Sequence, residues 1–309
     1  MVKDNKEKTM LEIRIPATSA NLGPGFDCLG FAIKLYNSFI IEEISTGIET
    51  VINDKVSGKE IDLSLDDNLF YHGMKKVYDL TNNNLDGIKL TEIISIPLAR
   101  GLGSSATAVV AGLLAANIIL DYPFTEEQLI DIAVEMEGHP DNVLPALKGG
   151  FVINVITEEG LVYKKIELDQ NLNIVLVIPD FKLKTGDVRK VLPEKLGFKD
   201  AIFNLSRTAL LTSSLQDNNL GKLKIAMEDK LHQDYRAKLI PGFHEVIASA
   251  YQQGALGVAL SGAGPSMLAI VNDNAEQIGE KMVASFSNHN IKSEYIVTKP
   301  DNKGVIIRK

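Results

Sequence analysis

The stretch Pro97-Leu98-Ala99-Arg100-Gly101-Leu102-Gly103-Ser104-Ser105-Ala106-Thr107 sets two hydroxyls directly behind a pair of glycines. Gly101 and Gly103 permit backbone angles that a Cβ forbids, and they let a ligand approach the chain closely. Ser104 has the side chain of a helix N-cap. The free N–H groups of the turn beyond it, at the positive end of a helix dipole, suit a phosphate. One hydroxyl, Ser105 or Ser104, is then left over for a magnesium ion. The chemistry implied is the cradling of a phosphorylated ligand. The stretch is neither a Walker loop, since it lacks the Gly-Lys-Ser/Thr end, nor Gly-x-Gly-x-x-Gly.

Further residues of the right kind are scattered along the chain. Thr125 with Gln128 forms a capping box, and Gly138 stands where that helix should stop. Leu129, Ile130, Ile132, Ala133 and Met136 mark its buried side; Asp131 and Glu135 fall on the polar side, but Glu137 falls among the apolar positions. A carboxylate carried into such a side needs a cation or strong hydrogen bonds. Glu137 is therefore the expected partner of Ser105 on magnesium, with Glu135 as the alternative. Directly beyond lie His139, Asp141 and Asn142 between Pro140 and Pro145, three polar side chains held by prolines. Near the start, Asn21 and Asp27 sit among small residues in Ala17 to Asp27, which exposes both to a ligand. Arginine is scarce, occurring only at 14, 100, 189, 207, 236 and 308. Guanidinium forks grip a carboxylate bidentately, as lysine does not.

The elements that must position these groups are legible as periodicity. Leu11, Ile13 and Ile15 alternate with polar residues and predict a strand ending at Pro16, followed by a turn-rich loop too polar in its backbone to be core. Leu29 to Glu43 reads as a second strand. Asn68 to Leu80 has helical spacing with Asn68 as its cap. Lys89 to Ile96 is extended and leads into the glycine loop, and Ala108 to Asn117 is apolar on every side, as a buried helix is. A strand over Phe151 to Val155 and an acidic turn at Glu158-Glu159-Gly160 suggest a boundary, dividing the chain into 1–160 and 161–309. Beyond it come an apolar strand at 173–179, a helix-rich region from Lys199 to Asn218, and a glycine hairpin over Ala255 to Ile270. A helix from Asn274 to Ser285 and strands within Ser293 to Ile307 complete a split β-α-β second unit.

At 309 residues, 45% hydrophobic and 23% charged, the composition is that of a globular protein. The net charge of −8 argues against nucleic acid or an acidic membrane surface as partner. Cys28 is the one cysteine, which excludes a disulfide framework and suits a reducing cytoplasm. No apolar run approaches the roughly 20 residues of a membrane helix. The polar start, Met1 to Thr9, lacks the apolar core of a signal peptide. A cytoplasmic protein is expected, and a homodimer is compatible with these totals.

The run from Pro97 to Ala106 resembles, almost letter for letter, the Pro-x-x-x-Gly-Leu-Gly-Ser-Ser-Ala signature of the GHMP small-molecule kinases. Segments around Asn21, His139 and Gly262 resemble that family's other motifs, in the family's order. The resemblance implies a two-domain α+β fold: an N-terminal mixed α/β domain carrying the phosphate loop, and a C-terminal ferredoxin-like domain. It also implies ATP held by residues 97 to 107 and magnesium on Ser105 and Glu137. The nearest branch is the one that phosphorylates the side-chain hydroxyl of L-homoserine on the way to threonine. By that resemblance Asn21 and Asp27 take the substrate ammonium and Arg189 and Arg236 its carboxylate. Thr185 and Gly262 complete the substrate site, and Asn142 with His139 aims the hydroxyl. Asp141 stands where relatives acting on mevalonate carry a base; in the homoserine branch no strong base is implied. Kinases acting on mevalonate or a sugar, and a catalytically silent nucleotide-binding regulator, are the alternatives.

Overall fold

Proline cannot donate to a β-ladder, and the first strand shows what the chain does about it. A computed structural model describes residues 10–183 and 185–309; Thr185 is helical with its side chain outside that description. In it, β1 (Met10–Ala20) runs straight past Pro16, and the register against β2 (Leu29–Glu43) shifts between Pro16 and Ala17. A bulge is the place where a strand tolerates proline, so the expected end at Pro16 becomes an irregularity within a longer strand. The residues expected to form a loop too polar for the core are buried from Ala17 to Gly25. Their backbone groups find partners instead: Thr18 N–H donates to Leu102 O at 3.1 Å, Asn21 N–H to Leu29 O at 2.7 Å, and Gly25 N–H to Asn21 O at 3.0 Å.

Next in order come β3 (Ile48–Asp54), β4 (Lys59–Glu60), α1 (Leu69–Leu80), β5 (Ile88–Ile94), α2 (Ser104–Ile119), α3 (Glu126–Glu137), α4 (Pro140–Lys148), β6 (Phe151–Thr157) and β7 (Gly160–Ile166). Asn68 caps α1, accepting from Tyr71 N–H, and the Thr125 capping box and Gly138 bound α3 as predicted. The first sheet has the order β12-β1-β2-β5-β3-β4, where β12 is Ile306–Arg308, and β6 and β7 extend it from β2. Helices α1 and α2 cover this sheet through Phe70, Met74, Val109 and Leu113, packed with Phe39, Ile41 and Leu90. α2 is buried nearly all round, which explains its lack of a polar face. The turn at Glu158-Glu159 closes the β6–β7 hairpin, and the chain leaves this sheet after Ile166.

The second sheet is built from β8 (Asn173–Pro179), β9 (Gly257–Leu260), β10 (Met267–Val271) and β11 (Ser293–Thr298). Its order is β11-β8-β10-β9, antiparallel throughout. Between its strands lie α5 (Thr185–Arg189), α6 (Phe198–Gln216), α7 (Leu223–Ala226), α8 (Gln233–Ala237), α9 (Phe243–Gln252) and α10 (Ala275–Ser287). The sequence β-α-β-β-α-β with that strand order is the ferredoxin-like pattern. The terminal segment read as completing this unit splits: β11 joins the second sheet, while β12 returns to β1 of the first.

The β9–β10 turn meets the glycine loop. Ser261 Oγ donates to Gly101 O at 2.7 Å, Gly262 N–H to Ala20 O at 3.1 Å and Ser266 N–H to Arg100 O at 3.3 Å. Segments far apart in sequence are thereby fixed against one another. Among the described residues, no helix is long and apolar enough to cross a membrane.

Candidate active site

Helix α2 begins one residue earlier than the hydroxyl pattern suggests. Gly103 is the N-cap, in the left-handed region at φ +70°, and Ser104 is already the first helical residue rather than the cap. The glycine is required twice over. A Cβ at Gly103 would lie 1.9 Å from Thr18 Oγ1, and one at Gly101 (φ +75°) would lie 2.2 Å from Ser261 O. The loop thus presents bare backbone and the free N–H groups of a helix start to a cavity of about 670 Å³. Pro97, Ala99, Arg100, Gly101, Leu102, Gly103, Ser104, Ser105 and Ala106 all line it. Leu98 turns into an adjoining cavity of about 590 Å³, which shares Pro97 and Arg100 with the first. Thr107 lines neither; it is buried beneath the loop, donating to Ser104 O at 2.7 Å and accepting from Asn37 Nδ2 at 2.9 Å.

Asn37 escaped sequence reasoning. It occupies the inward phase of β2 between Leu35 and Phe39, where a polar residue needs a purpose. Its Oδ1 accepts from Ser95 and Ile96 N–H at 2.8 and 2.9 Å, and its Nδ2 reaches Ser104 Oγ at 3.2 Å. One buried amide therefore braces both the entry and the exit of the glycine-loop turn.

Across the cavity, Glu137 accepts a hydrogen bond from Ser105 Oγ at 2.6 Å. Burial pushes its carboxyl above the usual carboxylate range, which is the condition of an anion waiting for a cation. Glu135 points to solvent and pairs with Lys76 at 3.1 Å, so the helical phase separates the two glutamates as the wheel predicted. A hydroxyl and a desolvated carboxylate side by side beneath a phosphate cradle fit a hard divalent cation that keeps phosphate and water in its remaining positions.

Of the next three polar residues, His139 is the N-cap of the short helix α4 and Asp141 and Asn142 lie in its first turn; the sequence pattern gave this helix no assignment, although Pro140 at its first position is a helix-start signal. His139 Nδ1 stands 2.8 Å from Asp141 Oδ1, and that contact raises the imidazole above its ordinary value despite burial. Asn142 Nδ2 donates to Asp141 Oδ1 at 3.3 Å, and Asn142 Oδ1 accepts from Thr18 Oγ1 at 2.7 Å.

Two further arginines, outside the glycine loop, line the cavity. Arg236, on α8, is 2% exposed; one terminal nitrogen reaches Gly262 O at 2.9 Å and His232 Nδ1 at 3.1 Å, and its Nε has no hydrogen-bond partner among the described residues. Burial, and then the like charge of Arg189, lower this guanidinium to about 10. Arg189 and Arg236 both lie against the ring of Phe26, 5.3 and 5.2 Å from its centroid. Arg189 is engaged with Asp27 in a fork of two bonds at 2.7 and 2.9 Å. Asp27, expected to face a ligand's ammonium freely, therefore lies in an ion pair with one of the two arginines. Asn21 is likewise committed: its Nδ2 donates to Gly262 O at 3.0 Å, and its Oδ1 accepts from Asp27 N–H at 3.0 Å. The side chain of Thr185 lies outside the described residues. Asn21, Asp27, Glu137, His139, Asp141, Asn142, Arg189, Arg236 and Gly262 all line the same cavity as the glycine loop.

Family comparison agrees with this geometry. The model described as GHMP kinases N terminal domain matches residues 68–150, and that described as GHMP kinases C terminal matches residues 211–288. The homoserine kinase of Halothermothrix orenii is 52% identical over 300 residues, covering 97% of this chain and 96% of that protein. That of Clostridium beijerinckii is 41% identical over 299 residues, covering 96% and 98%. Among solved structures, homoserine kinase from Cytophaga hutchinsonii superposes with a TM-score of 0.86 at 29% identity, over 100% of both chains. L. major mevalonate kinase in complex with R-mevalonate gives 0.71 at 19% identity over 97% and 99%, a likeness of fold alone.

Proposed function

This chain belongs to the GHMP kinase family, and from that premise we infer that it transfers the γ-phosphoryl group of ATP to the side-chain hydroxyl of L-homoserine, giving O-phospho-L-homoserine and ADP on the way to threonine. The observation that carries this is the meeting of a phosphate loop, a Ser–Glu pair and a two-arginine pocket around one cavity. Its volume falls in the range of small-molecule sites.

Phosphoryl transfer rewards positioning and charge neutralisation more than covalent help. The backbone from Pro97 to Ala106 and the start of α2 would hold the triphosphate, with the nucleoside in the adjoining cavity behind Leu98. Ser105 and Glu137 would hold Mg2+, which supplies neutralisation of charge on the phosphates. A zwitterionic amino acid suits the opposite end. Arg236 brings a buried positive charge whose contacts are with a carbonyl and an imidazole, neither of them anionic. Arg189 and Asp27 already form the complementary pair that a substrate carboxylate and ammonium would replace. Mevalonate or a sugar carries no ammonium, and Asp27 disfavours both.

His139 and Asn142 orient the acceptor hydroxyl. Asp141 is engaged by both of them, and the loose transition state asks little deprotonation of the attacking oxygen, so we assign Asp141 to orientation rather than to base catalysis. We place the reaction in the cytoplasm and divide the molecule into a nucleotide-holding half, to about residue 160, and a second half that supplies the arginines. The test is ADP release with L-homoserine, mevalonate and galactose in turn. Turnover with homoserine alone is expected. Turnover with another acceptor, or with none, contradicts the assignment.

A further inference from the structure

Thr18 was passed over in the sequence because it lies in a run of small residues, yet it is wholly buried and touches both halves of the reaction. Its N–H donates to Leu102 O of the phosphate loop at 3.1 Å. Its Oγ1 donates to Asn142 Oδ1 at 2.7 Å, across 124 positions of sequence. Gly103 closes over this bond so tightly that a Cβ there would come within 1.9 Å of Thr18 Oγ1 and 3.1 Å of Asn142 Oδ1.

Those contacts decide which way the Asn142 amide faces. Asp141 Oδ1 lies 3.3 Å from Nδ2 and accepts from it, so that side of the amide is the NH2 group. The carbonyl side is then turned to Thr18, whose hydroxyl has a hydrogen to give. With Oδ1 turned to Thr18 and one N–H given to Asp141, the second N–H of the Asn142 amide is left to donate into the cavity that the residue lines.

We propose that Thr18 is a positioning residue for phosphoryl transfer: it holds the Asn142 amide with its NH2 group toward the acceptor hydroxyl and fixes that amide's distance from the phosphate loop. This presupposes the role given to Asn142 above. It assigns the amide a single task, to hold the oxygen of the substrate hydroxyl by its lone pair, and it makes the spacing between the two substrates a property of one side chain on β1.

The test compares steady-state kinetics of the full chain as wild type, Thr18→Val, Thr18→Ser and Asn142→Ala, and as the Thr18→Val/Asn142→Ala double variant, each checked for folding by its thermal midpoint. Valine keeps the shape without the donor; serine keeps the donor. Thr18→Val should lower kcat about 100-fold, the scale of a small misplacement of reacting groups, with KM for ATP and homoserine changed less than about threefold. Thr18→Ser should stay within about threefold of wild type, and Thr18→Val should add nothing to Asn142→Ala, since residues acting as a unit are not additive. Thr18→Ala, also without the donor, repeats the comparison should the valine variant not fold. Equal losses in the serine and valine variants, a loss confined to KM, or multiplicative losses in the double variant would overturn the proposal. Full activity of Asn142→Ala would remove the role given to Asn142 itself, and with it this one.

Discussion

Replacing Arg236 with leucine removes a guanidinium of the pocket that has no anionic partner among the described residues and almost no water. Its contacts are the carbonyl of Gly262, the imidazole of His232 and the ring of Phe26. Truncating one partner of a buried charge pair costs about 2–5 kcal/mol. Arg189 is partly exposed and would share a substrate carboxylate, so the lower part of that range applies. A loss near 3 kcal/mol corresponds to about 100-fold in apparent affinity. Arg236→Leu should therefore raise the homoserine KM about 100-fold and leave the ATP KM within about threefold. The unliganded variant loses two hydrogen bonds of about 1 kcal/mol each but is relieved of a buried cation beside Arg189, so its thermal midpoint should fall by less than about 8 °C. A second substrate sharpens the result: 3-amino-1-propanol, which is homoserine without its carboxylate, should be turned over equally poorly by wild type and variant. Equal rises in both KM values, or a variant still impaired relative to wild type on the truncated substrate, would refute the carboxylate role.

Two further outcomes follow from carboxylates that desolvation shifts. Burial holds Glu137 above the ordinary carboxylate range, and protons and magnesium compete for it, so the Mg2+ concentration needed for half-maximal rate should rise as pH falls toward that range. Glu137→Gln should raise the requirement and flatten its pH dependence, both read from initial rates across a magnesium titration. Glu92, on β5, accepts from Asn68 Nδ2 at 2.6 Å, and burial raises its carboxyl to about 7 from 4.5. The folded state thus favours the protonated form, and the stability this contributes is present below pH 4.5 and lost as pH rises through about 7. Glu92→Gln, which keeps an acceptor for Asn68, should match wild type at pH 4 and exceed it by up to about 3 kcal/mol at pH 8.5. Denaturant midpoints at the two values check this, and an equal advantage at both would contradict it.

What the sequence disclosed was whatever a local rule governs. The glycine–serine loop, the Thr125 capping box, the Gly138 stop and the inward phase of Glu137 each depend on a few neighbours. What it withheld depends on distant partners. Ala17 to Gly25 looked like a surface loop, because its backbone partners at Leu102 and Leu29 are visible only after folding. Strand β12 joins β1 rather than its sequence neighbour β11, a choice no periodicity encodes. Asp27 and Arg189 were both marked as ligand-facing, but their 162-residue separation hid that they face each other. Asn37 was the exception: its inward phase among Ile33, Leu35, Phe39 and Ile41 was a signal available in the letters alone.

The central claim is that one cavity holds the triphosphate and the amino acid with hydroxyl and γ-phosphorus facing each other. A crystal structure with a non-hydrolysable ATP analogue and L-homoserine measures that separation directly. The expected result is about 3–3.5 Å between the side-chain oxygen and the γ-phosphorus, with the amino acid's carboxylate on Arg236. Homoserine bound away from Arg236, with its oxygen facing no phosphate, would contradict the account.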